Sequence, residues 1–259
     1  MINILIIGCG GREHAIAKSL KKNNKVNLIC VGPNVNPGIL KLVSNFICSD
    51  VSYLMTYKTI IKNYKISYAV IGPERALSDG VADYLSKNNV PVIGPIKSYA
   101  MIETDKFFCR DLMKKYSLDK YSPNFKYFNT ENINSDNINK EYYEITDKFD
   151  SYVIKPCGLF GGKGVKLYKD HFQTHKEGLE YAKSLINNNH NFIIEERLIG
   201  EEFSLMSFTD SISLKHMPPV KDYKRAYEGD LGPNTGSMGS VTFKNHLLPF
   251  LDSEDVKKA

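Results

Sequence analysis

The run from Ile2 to Ile7 constrains the fold more than any other stretch of the chain. It is apolar but for Asn3, ends in Gly8-Cys9-Gly10-Gly11, and leads into a helical pattern with Ile16 and Leu20. A continuous apolar run belongs to a strand covered on both faces, as in a parallel sheet flanked by helices. The unit recurs. Val26–Val31 ends in Gly32-Pro33-Asn34, Ser67–Ile71 in Gly72-Pro73-Glu74, and Val90–Ile93 in Gly94-Pro95, while Val51–Tyr64 and Ala76–Lys87 have helical spacing. Strands alternating with helices predict an α/β fold with a parallel sheet. Its carboxyl edge, where such sheets hold ligands, would gather Gly8–Gly11, Gly32–Asn34 and Gly72–Glu74. The helix after Gly11 would offer bare N–H groups and about half a positive charge to an anion. A dinucleotide fits poorly, because Glu13 occupies the sixth position of G-x-G-x-x-G and the second strand ends without an acidic residue.

A second glycine cluster has another character. Lys155-Pro-Cys-Gly-Leu-Phe-Gly-Gly-Lys-Gly164 lies between Ser151–Ile154 and Val165–Tyr168, two short β-like runs. Gly158, Gly161, Gly162 and Gly164 leave backbone amides bare, and Lys155 and Lys163 bracket them. Bare amides with point positive charges suit a polyphosphate. The spacing is not that of a P-loop, which needs four residues between its glycines and a Ser or Thr after the lysine. A lysine turned inward at the end of a strand needs an anion.

At 259 residues the chain has room for two cores. A net charge of +5 suits anionic small molecules, but no Lys/Arg block with interleaved aromatics argues for nucleic acid. Cys9, Cys30, Cys48, Cys109 and Cys157 are odd in number and lack metal-type pairing, and read as reduced core thiols of a cytoplasmic protein. The apolar start is too short for a signal peptide or a membrane span.

Downstream, Thr104-Asp105-Lys106 opens a helix with Phe108, Leu112, Met113 and Tyr116 on one side. Asn129–Lys140, rich in Asn, Asp and Ile, reads as a surface loop or frayed helix. His171 and His175, four apart on an expected helix from Asp170 to Ile186, read as a solvated face without a third metal ligand. Asn191–Glu196 reads as a strand. In Val220–Gly239, Lys224 and Arg225 can bind phosphate or carboxylate, and Asn234, Thr235 and Gly236 supply donors in a glycine-rich turn. Leu248–Ala259 begins a helix, capped by Asp252 or Ser253.

The glycine hairpin K-P-x-G-L-x-G-G-K-G-V resembles the phosphate-covering loop of ATP-grasp ligases, and its wording resembles the phosphoribosylamine–glycine ligase family. GCGGREHA is close to that family's GxGGREHA, Gly72-Pro73-Glu74 matches its second substrate loop, and DYKRAYEGDLGPNTGSMGS is similar to its DHKR…DxGPNTGGMG. Ser237 departs from a usual glycine, and Pro219-Val220-Lys221 from a usual Ser-Gln. The resemblance implies an N-terminal α/β substrate-binding domain over 1–103 and a partial ATP-grasp (α+β) domain over 104–259. It implies ATP contacts from Lys106, Lys155, Gly158, Gly161, Gly162, Lys163, the hinge Glu195-Glu196-Arg197-Leu198, and Glu202. Substrate contacts would come from Gly10, Gly11, Arg12, Glu13, His14, Glu74, Asp222, Lys224, Arg225, Asn234, Thr235 and Gly236, with Lys155 and Arg225 acting on the reaction.

The implied reaction joins glycine to 5-phosphoribosylamine through a glycyl phosphate, with ATP and Mg2+ or Mn2+, in purine biosynthesis. The family's metal carboxylates are expected beyond residue 259, so no metal ligand is assigned, and the chain alone is expected to turn over little or not at all. ATP, glycine and phosphoribosylamine are the expected partners of a monomeric full-length enzyme, with neither nucleic acid nor membrane. Another ATP-grasp carboxylate–amine ligase, or a nucleotide-binding remnant without turnover, are the competing readings.

Overall fold

The structure, a computed structural model, describes residues 1–133, 137–158 and 164–258. Its first layer contains β1 (Ile2–Ile7), α1 (Gly11–Leu20), β2 (Val26–Gly32), α2 (Pro37–Leu40), β3 (Asn45–Cys48), α3 (Leu54–Asn63), β4 (Tyr68–Ile71), α4 (Glu74–Ser78), α5 (Val81–Lys87) and β5 (Val92–Ile93). The five strands pair in parallel in the order β3-β2-β1-β4-β5. Alternate residues of β1 feed two cores. Leu5 and Ile7 join Ile29, Val31, Tyr57, Ile60, Val81 and Leu85 on one face, and Ile4 and Ile6 join Leu28, Cys30, Ala17 and Ile39 on the other. Burial on both sides explains the uninterrupted apolar reading of β1, since each such side chain gains roughly 1.5–3 kcal/mol by leaving water.

Three differences from expectation have local causes. β3 is a short, half-buried edge strand whose NFIC wording carries no alternation. The helix expected from Val51 starts at Leu54, because Val51 is drawn into the core and Asp50 turns the chain by accepting from Ser52 N–H at 2.8 Å. The helix expected over Ala76–Lys87 is two helices, broken at Gly80, whose φ of +80° is cheap only for glycine.

α6 (Lys97–Thr104) leads directly into α7 (Lys106–Lys115), with Asp105 capping α7 through the N–H groups of Phe107 and Phe108. Thr104 thus closes one helix rather than opening the next. A 3-10 turn (Asp119–Tyr121) precedes a second sheet made of β6 (Phe125–Phe128), β7 (Tyr152–Pro156), β8 (Lys166–Leu167) and β9 (Phe192–Glu196), ordered β6-β9-β7-β8 and antiparallel. α8 (Ile138–Thr146) and α9 (His175–Asn187) contribute Ile138, Tyr142, Ile145, Leu179, Ala182 and Leu185 to a core shared with Phe128, Tyr152, Ile154, Phe192 and Ile194.

β7 and β8 form the strand–loop–strand hairpin expected around the glycine cluster. The Asn-rich stretch is more ordered than expected: Ile133 and Ile138 are buried, and α8 starts at Ile138, while 134–136 lie outside the described residues. α9 starts at His175 rather than Asp170, capped by Thr174. The two histidines therefore do not share a solvated helix face. His171 Nδ1 accepts from Leu167 N–H at 3.2 Å, whereas His175 stacks on Tyr152 with Nδ1 3.3 Å from its hydroxyl.

The last part comprises two antiparallel pairs, β10 (Ser207–Thr209) with β11 (Leu214–His216) and β12 (Lys221–Tyr227) with β13 (Leu231–Val241), then α10 (Ser253–Lys258), capped by Asp252. All five cysteines are free thiols, but only Cys30 is a core residue, and Cys48 is exposed. Among the described residues no helix is long and apolar enough to cross a membrane.

Candidate active site

The parallel sheet delivers three loops to its carboxyl edge. Arg12, at the start of α1, crosses from the first loop to the third, where Nη1 donates to Gly72 O and lies 3.8 Å from Glu74 Oε2. Glu13 and His14 face the scaffold instead. The Glu13 side chain is buried, with Oε2 accepting from Gly10 N–H at 2.6 Å, and it fills the space a Cβ on Gly72 would need, 1.8 Å from Oε1. The His14 ring covers Gly38, where a Cβ would lie 2.3 Å from Cε1. Gly10, Gly11, Arg12 and Glu74 keep the exposed rim. Asn36, absent from the expected set, ties the middle loop to the first: Nδ2 donates to Cys9 O at 3.0 Å while Oδ1 caps α2. Its signal was the Asn36-Pro37 pair, a helix cap followed by proline at the first helical position.

The glycine hairpin is held at both of its described ends. At its entry, Lys106 Nζ donates to Pro156 O at 3.1 Å and Gly158 O at 3.5 Å. At its exit, the Tyr181 hydroxyl on α9 donates to Gly164 O at 2.6 Å. Gly161, Gly162 and Lys163 lie outside the described residues. Lys155 meets the anion that its strand-end position called for, and that anion is internal: Nζ is ion-paired with Glu195 Oε1 across the β7–β9 ladder, while Arg110 Nη2 takes Oε2 at 2.9 Å. A cavity of about 460 Å³ opens beside the hairpin entry, lined among others by Asp105, Phe107, Cys157 and Gly158. Burial pushes the Cys157 thiol up to about 11, against a smaller opposing pull from Lys106, so it stays protonated at neutral pH.

At the other end of the sheet the chain leaves β9 through the expected hinge. Glu196 N–H and Arg197 N–H are held by Asn124 O and Ser151 O, and Leu198 is exposed. The Glu195 side chain faces Lys155 and Arg110 and not the hinge exit. Glu196 accepts from Asn124 Nδ2 at 3.0 Å. Arg197 grips Asp170 with both nitrogens, and the same carboxylate lies 3.5 Å from Arg225 on β12. Asp170 was read only as a helix start, yet it bridges hinge and β12.

On the β12–β13 pair, Arg225 Nη1 donates to Gly232 O at 2.8 Å, Thr235 Oγ1 donates to Lys224 O at 2.8 Å, and Lys224 is ion-paired with Glu202. Asn234 sits opposite Arg225 and Asp222 opposite Ser240, and Gly236 is open to solvent. Among the described residues, hydrogen bonds and ion pairs tie this pair to Asp170, Glu201 and Glu202, and none to the Gly8–His14 edge. Also among them, no group of three or more His, Cys, Asp or Glu side chains could hold a metal ion unaided. Magnesium in phosphoryl-transfer sites needs only one or two carboxylates beside the phosphates.

The family model for the phosphoribosylglycinamide synthetase N domain matches residues 2–103, and that for its ATP-grasp (A) domain matches residues 104–259. A phosphoribosylamine–glycine ligase of Methanocorpusculum labreanum is 44% identical over all of this chain, and one of Methanosarcina barkeri is 42% identical. The chain spans 57% and 58% of their lengths. The crystal structure of a phosphoribosylamine–glycine ligase from Thermotoga maritima superposes with a TM-score of 0.71 at 29% identity, covering 94% of this chain and 57% of that one. A D-alanine–D-alanine ligase from Bacillus anthracis, complexed with ATP, shares the fold at a TM-score of 0.54 and 18% identity. With the two family models together matching residues 2–259, the chain belongs to the phosphoribosylglycinamide synthetase family.

Proposed function

We propose that this chain supplies the nucleotide grip and much of the acceptor site of an ATP-dependent carbon–nitrogen ligase that joins glycine to 5-phosphoribosylamine in purine biosynthesis. The supporting observation is the convergence of Lys106, Arg110 and Lys155 at the base of a glycine hairpin, balanced among the described residues by the Glu195 carboxylate. Transfer of a phosphoryl group needs positioning and charge neutralisation more than covalent help. ATP therefore lies with its phosphates toward the hairpin and Lys155, and with its adenine toward Glu196–Leu198. The Gly8–His14 and Gly72–Glu74 edge receives the sugar phosphate, with Arg12 as its cation and Gly11 N–H as a donor, while Gly10 lines the loop with its own N–H held by Glu13. Lys224, Arg225 and the Asn234–Gly236 turn face the acceptor substrates, and Arg225 steadies the negative charge that develops as glycine's carboxylate becomes an acyl phosphate. Residues 1–103 and 104–259 act as two units, substrate-binding and ATP-binding. Mg2+ or Mn2+ would neutralise phosphate charge when bound. A cytoplasmic, monomeric enzyme without nucleic-acid or membrane partners completes the reading.

Calorimetric titration with ATP tests it directly. The 259-residue chain should bind ATP, and Lys155→Ala should weaken binding by about tenfold or more while leaving the circular dichroism spectrum intact. Unchanged affinity would take Lys155 out of the site. In a phosphate-release assay with ATP, glycine and phosphoribosylamine, the chain alone should turn over little, because the half-buried Lys224 and Arg225 pair with a mostly exposed β13 that excludes little water. Robust turnover would overturn that expectation.

A further inference from the structure

Arg110 belongs to none of the glycine-rich or acidic motifs, yet it completes a charge cluster that those motifs leave unexplained. Lys106 and Arg110 stand one turn apart on α7 and therefore share a face. Both reach β7 and its neighbour: Lys106 through the Pro156 carbonyl at 3.1 Å, Arg110 through Glu195 Oε2 at 2.9 Å. Lys155 takes the other oxygen of Glu195. The Glu195 side chain is 3% exposed, against 20% for Arg110 and 31% for Lys155. One buried carboxylate thus serves two cations, and a third rests on neutral carbonyls. The nearby acidic groups have partners of their own: Asp105 caps α7, Asp111 accepts from the Tyr127 hydroxyl, and Glu196 accepts from Asn124. Those carboxylates keep their charge, but among the described residues only Glu195 is ion-paired within the cluster, and Lys106 is ion-paired with none, which leaves it free to meet an incoming anion.

We propose that Arg110 is a positioning residue for the phosphates. By occupying one oxygen of Glu195, it keeps that carboxylate from neutralising Lys155, whose ammonium stays available to an incoming phosphate. Were Arg110 absent, Glu195 would have Lys155 as its sole cation in the cluster and would hold it as a closed, neutral pair. This rests on the nucleotide reading of the hairpin. A purely structural role, in which Arg110 only compensates the burial of Glu195, makes different predictions.

The experiment is a calorimetric double-mutant cycle on the full 259-residue chain, titrated with ATP at low and high salt. Arg110→Met should bind ATP about tenfold more weakly than wild type, with a shallower salt dependence, and Arg110→Lys should keep most of the affinity. Adding Glu195→Gln to Arg110→Met should restore most of the loss, because Lys155 is then no longer held by a carboxylate. That double variant removes the buried charge of Glu195 and leaves only the part-exposed Lys155 without a carboxylate, so its fold can be verified by circular dichroism and its result stands if the single variant unfolds. A double variant that binds no better than Arg110→Met, or an Arg110→Met chain that melts earlier but binds ATP like wild type, overturns the proposal while leaving the nucleotide reading in place. A wild-type chain that does not bind ATP overturns both.

Discussion

Among the described residues, Ser237 is the one whose backbone disagrees most with its side chain. Its φ of +114° lies in territory that glycine enters freely and that costs other residues about 1–3 kcal/mol. The similar family motif has glycine there. Ser237 Oγ accepts from Gly239 N–H at 3.2 Å, but the site is exposed and water can take over that bond. Ser237→Gly should therefore raise stability by about 1 kcal/mol, or roughly 2–4 °C in melting temperature for a chain of this size. A calorimetric scan showing an unchanged or lower transition would mean the strain is relieved elsewhere. At this scale the sequence was legible where a residue's role follows from its type. The lysines beside a strand end and the paired glycines at a sheet edge are of that kind. It was less legible for orientation: the Glu13 carboxylate turns inward onto Gly10 N–H, and the carboxylate of Glu195, a residue expected only as part of the hinge, lies between Lys155 and Arg110. Direction depends on which neighbour the fold brings close, and the partners of Glu195 are 40 and 85 residues away in the chain.

Between residue and molecule, the β7–β8 hairpin and α9 act together. Gly178 lets α9 approach β7 so closely that a Cβ there would lie 2.2 Å from the Tyr142 hydroxyl. Into that gap pack Tyr142 and Tyr152, hydroxyl to hydroxyl at 2.5 Å, with Tyr168 stacked on Tyr152 at 5.0 Å between ring centroids. Burial raises Tyr152 to about 12, and raises Tyr142 further. The unfolded value is about 10. A phenol whose folded pKa lies above its unfolded one contributes stability that is complete below pH of about 10 and is lost as pH rises toward 12. Alkaline titration followed by tyrosinate absorbance should show these two rings ionising only with unfolding, and Tyr152→Phe should flatten the fall in stability over that window. Early, reversible ionisation of every tyrosine would contradict it. The hairpin itself could be read from glycines between β-branched and aromatic flanks. The start of α9 could have been read as well: Thr174 with Glu177 three residues on is a capping pair, whose Glu177 Oε2 accepts from Gln173 N–H at 2.7 Å. Asp170 drew the expected boundary forward because it is also a good cap residue, but the fold uses it to bind Arg197.

Across the whole molecule, the buried clusters fall on the two larger sheets, and none of their members comes from β10 to β13. The sequence foretold that division unevenly. Continuous apolar strands announced the parallel sheet, whereas residues 204–243 alternate glycine, charge and aromatic without a face that any period would bury. In the structure Phe208, Leu214, Tyr223, Leu231 and Met238 are all exposed. Two-stranded antiparallel pairs with little apolar cover are marginal by themselves, since their backbone bonds compete with water and no core resists opening. The stability of this chain should therefore be graded. Amides of β1, β2, β7 and β9 should exchange with deuterium only through global unfolding, and those of β10–β13 through cheap local opening, orders of magnitude faster. The Lys224–Glu202 and Arg225–Asp170 pairs will slow this little, because ion pairs exposed to water contribute about 0–1 kcal/mol. Native-state hydrogen exchange read by mass spectrometry would decide: protection in Lys221–Val241 equal to that in Ile2–Ile7 would mean that the acceptor strands belong to a cooperative core which their exposure in this fold does not account for.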